Sequence, residues 1–139
     1  MKYASKISFL EYLISSHKAK NICLIFFIKK EKPDNDELKI FENLGIKYKD
    51  DHIKVFYLNV DKYKSIFKSF DNNDVNFENT SAVIVKGKRK KYIPISKENY
   101  QNIQIFNNII ESILSGGGSF KQMKKGLILE NGNDKTNDL

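Results

Sequence analysis

The chain has 139 residues and a mass of 16.2 kDa, with 40% apolar and 29% charged residues and a formal net charge of +7. That is enough for one domain with a real core, and it excludes a linker, a collagen and a disordered tail. The single cysteine, Cys23, excludes an internal disulfide and dithiol chemistry, and with His17 and His52 it cannot assemble a four-ligand zinc site.

Positions 1–16 carry no clean apolar block, so no leader peptide is expected there. Ile7 to Glu11 reads as a helix start, with Ser8 and Glu11 spaced as a capping box and Phe9, Leu10, Leu13 and Ile14 on one helical face. Ile22 to Ile28 is a seven-residue apolar run, far short of the ~20 residues of a membrane span. It lacks alternation, which predicts a strand covered on both faces.

Lys29 to Asn35 is a polar loop ending in Pro33-Asp34, which suits a helix start; Asp36 and Glu37 then favour the dipole of the first turn. Leu38, Phe41 and Leu44 give that helix its apolar stripe up to about Lys49. His52 to Val60 is a second predicted strand, and Asp61 is placed to cap a short helix carrying Tyr63, Ile66, Phe67 and Phe70. Asp71 to Asn79 reads as a polar loop.

Ser81 to Val85 is a third strand, Lys86 to Lys90 a turn around Gly87, and Lys91 to Ile95 a fourth strand, which Pro94 marks as an edge. Ser96 is placed to cap a long helix with Ile103, Phe106, Ile109, Ile110, Ile113 and Leu114 at helical spacing, ended by Gly116-Gly117-Gly118. The domain is expected over residues 1–129, with a core at 8–115 and an extension at 116–129 that packs back, followed by a disordered tail at 130–139.

This order implies parallel strands joined by helical crossovers and then an antiparallel hairpin, hence an α/β fold with a central mixed sheet. It resembles the thioredoxin-like superfamily over Ser8 to Leu114: a three-layer α/β/α sandwich with a C-terminal β-hairpin and a long C-terminal helix. Phe56-Tyr57-Leu58-Asn59-Val60-Asp61-Lys62-Tyr63 looks like the family's strand leading into its third helix. Ala82-Val83-Ile84-Val85-Lys86-Gly87-Lys88 looks like its apolar strand ending in a glycine turn. The last helix, the glycine run Gly116-Gly117-Gly118 and the trailing Phe120-Lys121 together resemble C-terminal thioredoxin-like domains of disulfide-isomerase relatives, including J-domain proteins with thioredoxin repeats.

The departures carry the functional expectation. Where the active family has Cys-x-x-Cys, at a helix N-terminus that lowers the thiol pKa, this chain has Lys29-Lys30-Glu31-Lys32-Pro33-Asp34. Where the family has a cis-proline, it has Thr80-Ser81. The resemblance therefore implies a redox-inactive, non-enzymatic domain without cofactor in the endoplasmic reticulum lumen. Its role would be binding unfolded client polypeptide or a chaperone, or positioning other domains of the parent protein. The expected docking face is that of the missing redox site, at Lys29, Lys30, Lys32, Pro33, Thr80 and Ser81, where an apolar cleft is looked for. The sequon Asn79-Thr80-Ser81 and the terminal Asp138-Leu139, loosely similar to a retention signal, point the same way.

The alternative is a basic module for an acidic protein or nucleic acid, using the turn Lys86, Lys88, Arg89, Lys90 and Lys91. Nucleic acid is the weaker partner, because Arg89 is the only arginine among 24 basic residues and no aromatics interleave for stacking. Cys23, inside the most apolar strand, reads as a core residue, and the two histidines as surface residues.

Overall fold

In the computed structural model, residues 22–51, 53–71, 73–86, 90–99 and 102–123 are described. The expected first helix at 8–16, both histidines, Lys88, Arg89 and the tail lie outside them. The apolar run forms strand β1, Ile22–Ile28, with all seven residues buried. Helix α1 follows at Asn35–Lys47, strand β2 at Ile53–Asn59, and a 3-10 helix at Lys64–Ser69. Strands β3, Thr80–Lys86, and β4, Lys91–Ser96, form the hairpin; helix α2 spans Ile103–Leu114 and a two-residue strand β5 covers Lys121–Gln122.

The result is a mixed α/β domain whose sheet runs β2-β1-β3-β4-β5. β1 pairs parallel with β2, from Ile22 opposite Ile53 to Ile28 opposite Asn59, and antiparallel with β3, with Phe26 opposite Ala82. The parallel pair needs a crossover, which α1 supplies. Pro94 stands opposite Val83, and among the described residues β5 pairs with Lys91 and Tyr92 and no strand pairs with Pro94 on that side, a setting in which proline costs no ladder hydrogen bond there.

Because β1 alternates sides residue by residue, its side chains feed two cores. Leu24, Phe26 and Ile28 pack with Phe41 and Leu44 of α1 and with Phe106, Ile110 and Ile113 of α2. Phe26 stacks on Phe41 at 4.2 Å between centroids and meets Phe106 at 5.2 Å. Cys23, Ile25 and Phe27 face the other way, onto Ile66, Phe70, Val75 and Met123. Each such side chain withdrawn from water contributes roughly 1.5–3 kcal/mol, which is why an all-apolar strand is tolerated only at the centre.

Two local expectations are corrected. The last helix does not begin at Ser96: the Ser96 hydroxyl accepts from the Glu98 N–H at 3.1 Å and caps only a 3-10 turn, Lys97–Asn99. Asn102 is the true cap, its side chain accepting from the Ile105 N–H at 3.3 Å. Asp61 does not cap the short helix, whose start at Tyr63 has no side-chain cap; instead the Asn59 side chain accepts from the Asp61 N–H.

The end of α2 follows the glycine run as expected. Gly117 N–H donates to the Ser112 carbonyl at 2.8 Å and Gly116 N–H to that of Ile113 at 2.9 Å, a Schellman closure with Gly116 at φ +92°. Beyond it the chain rounds the sheet edge. Phe120 packs against the first core and Met123 is buried in the second.

Candidate functional site

A cleft of ≈ 340 Å³ opens where β1 ends and β3 begins. Since those strands are antiparallel, the segment after Ile28 and the segment before Ala82 meet at one end of the sheet. Phe27 and Ile28, from the two faces of β1, form the apolar floor together with Phe77 of the 71–79 loop. Lys29, Lys30, Glu37, Ser81 and Lys97 supply its polar lining.

Ser81 owes its place to an irregularity in the β3–β4 ladder. Thr80 stands opposite Ser96 and Ala82 opposite Ile95, so Ser81 is the extra residue of a bulge. Bulges re-aim a side chain, and here the Ser81 hydroxyl lies 3.3 and 3.2 Å from the carbonyl oxygens of Ile95 and Ser96. Its neighbour Thr80 is buried and structural: its hydroxyl donates to Asn79 Oδ1 at 2.8 Å and accepts from the Asn76 N–H at 3.3 Å.

Lys30 is neutralised within the wall. Its Nζ is 2.8 Å from Glu37 Oε1 and 3.3 Å from Asp34 Oδ2. The hydrogen bond to Glu37 is the largest cause raising the Lys30 pKa above the usual lysine value. Asp34 and Glu37 also close a capping box on α1: Asp34 Oδ1 accepts from the Glu37 N–H and Glu37 Oε1 from the Asp34 N–H, both at 2.8 Å. The bond from the Glu37 N–H is the chief cause holding the Asp34 carboxyl below its ordinary range.

Lys29 and Lys97 are arranged differently. Both are exposed, and their ammonium groups approach the ring of half-buried Phe77, at 4.4 Å and 4.2 Å from its centroid. Among the described residues neither has a carboxylate within ion-pair range. Phe77 is held edge-on to Phe67, which packs edge-on to Phe27, so the ring is anchored to the second core.

Of the expected docking residues, the structure brings Lys29, Lys30 and Ser81 together around the cleft. Lys32 is exposed and Pro33 half-buried, and neither lines it; Thr80 faces the loop beneath. Phe77, Lys97 and Glu37 were not singled out by sequence. In the sequence Phe77 stands out only as an aromatic in a polar loop, and nothing marks Lys97, which reaches the cleft because it follows the strand that pairs with Thr80.

No thiol enters the cleft. Cys23 sits near the far end of β1, five residues from Ile28, or about 16 Å along an extended strand. Burial pushes its thiol far above the ordinary range, so it stays protonated and inert. Among the described residues no group of three or more His, Cys, Asp or Glu could hold a metal ion. No described helix is long and apolar enough to cross a membrane.

The basic turn is only partly described. The Lys86 ammonium lies 4.4 Å above the Phe120 ring, Lys90 adopts φ 53°, and Lys91 pairs with Gln122. No protein-family model matches the chain, and no curated protein matches it.

Proposed function

We propose that this chain is a redox-inactive thioredoxin-like domain of a disulfide-isomerase or co-chaperone protein of the endoplasmic reticulum, and that the cleft binds unfolded client polypeptide or seats a neighbouring domain. One observation carries the reading. The segments standing where that superfamily keeps its Cys-x-x-Cys and its cis-proline, represented by Lys29-Lys30 and Ser81, wall a single cleft with an apolar floor and no sulfur. The sheet supports the same reading: a parallel pair with a helical crossover, an antiparallel hairpin, and helices on one face with a 3-10 segment on the other.

Open α/β sheets bind ligands beyond strand ends, where loops diverge and backbone groups are not all spent on the ladder. An unfolded segment could lay a large apolar side chain onto Phe27, Ile28 and Phe77. The exposed position of Asn79 is compatible with a sequon used in a secretory compartment. The basic-turn alternative has less support, because Lys86 is engaged by Phe120.

The test is binding of a labelled, reduced and iodoacetamide-capped polypeptide, read by fluorescence anisotropy. Saturable binding is expected, weakened by Phe77→Ala by about 1–2 kcal/mol, roughly tenfold, as for a central apolar contact. Absence of binding, or measurable disulfide reductase activity of the chain, would overturn the reading.

A further inference from the structure

The cleft is unevenly charged. Lys30 is neutralised by Glu37 and Asp34, yet Lys29 and Lys97 converge on one ring with no carboxylate partner among the described residues. Both ammonium groups lie within 4.4 Å of the same centroid. They are therefore within about 9 Å of each other, close to the Debye length at physiological ionic strength, and repel one another. The ring face offsets part of that cost by cation–π attraction, but it brings no countercharge. The apolar side chains of Phe27 and Ile28 line the same cleft.

We propose that the cleft selects peptide segments in which an acidic side chain is adjacent to a large apolar one, the apolar group settling on Phe27, Ile28 and Phe77 and the carboxylate bridging Lys29 and Lys97. This rests on the client-binding reading above and adds a preference to it. Charge complementarity decides the occupant. Among the described residues nothing but the ring faces these two charges, so a neutral apolar segment adds no countercharge, a basic one adds a third like charge, and an acidic one resolves them. The lysines come from different elements, one just past β1 and one just past β4, so a single carboxylate between them also fixes the direction in which the segment lies.

The experiment compares two end-capped heptapeptides in a Gly/Ser background, one centred on Leu-Glu-Phe and one on Leu-Gln-Phe, titrated against the full chain at low and high ionic strength. The Glu peptide should bind about five- to tenfold more tightly at low salt, the scale of two exposed charge pairs. That ratio should fall towards one at high salt and vanish in Lys29→Gln/Lys97→Gln. Circular dichroism and the thermal melt of this double variant should match those of the unaltered chain, which shows that the fold is intact. Equal binding of both peptides overturns the acidic preference and leaves client binding standing. Selectivity for Glu that survives the double variant overturns the assignment to these lysines. Displacement of the Glu peptide by a short oligoribonucleotide of higher affinity overturns peptide as the occupant. Failure of both peptides and of the capped polypeptide removes the client-binding reading itself.

Discussion

At the residue scale, Asp34 does two jobs with one carboxylate: it caps α1 and helps hold Lys30 in the cleft wall. Its folded pKa is depressed, so its contribution is present above the unfolded value near ~3.9 and is lost as pH falls through the folded value. Asp34→Ala should therefore lower Tm at neutral pH, with a deficit that shrinks below about pH 4, where the native side chain also loses its charge. Thermal melts of both proteins across that range check this; a deficit independent of pH would contradict it. Cys23 works in the opposite sense. Its raised folded pKa means its contribution is full below the unfolded value of about 8.5 and declines as pH rises past it, because only the unfolded chain then releases the proton. In native buffer at pH 8 a thiol-specific reagent should react with Cys23 only as denaturant unfolds the chain. Rapid labelling of the folded protein would show that the thiol is accessible.

At the element scale, the segment beyond α2 depends on two glycines for different reasons. Gly116, at φ +92°, has open space where a Cβ would go, so Gly116→Ala should cost only the left-handed backbone term, about 1–2 kcal/mol. Gly118, at φ +106°, would place a Cβ 2.9 Å from the Phe120 ring and 3.2 Å from Ile113. Gly118→Ala should cost more, since the ring must move as well, and denaturant titrations of the two variants should rank them in that order. Equal costs would mean that Phe120 is not held against the first core. The elements themselves were unevenly legible. β1 could be read because an unbroken apolar run has one stable setting, a strand buried on both faces. α1 could be read from Pro33-Asp34 and its acidic first turn. The start of α2 was misplaced because Ser96 is a good cap, and only the pairing of Thr80 with Ser96 decides that it closes a 3-10 turn instead. β5, two residues long, gives no periodic signal; it exists because Lys121 is drawn 2.7 Å from Asp74 and Met123 is buried behind it.

At the scale of the whole molecule, the two-sided sheet determines where anything can bind. Both broad faces are packed against cores, and the cleft with its apolar lining lies at the end of the sheet where β1 stops and β3 begins. That junction was half legible. Lys29, Lys30 and Ser81 were reached only through the resemblance to the thioredoxin-like superfamily, whereas Phe77 and Lys97 depended on loop and hairpin geometry that spacing alone does not fix. The bulge at Ser81 has no sequence mark at all, being a product of how β3 and β4 slip past each other. The net charge of +7 belongs to the same scale, since a uniformly basic surface would attract any polyanion, and salt separates that attraction from contact with the apolar floor. The most direct measurement is therefore a two-dimensional amide NMR titration of the labelled chain with the capped unfolded polypeptide at moderate ionic strength. Shifts clustered on Lys29, Lys30, Phe77, Ser81 and Lys97 are the predicted result. Shifts confined to the 86–91 turn that vanish with salt, or no shifts at all, would contradict a client-binding cleft.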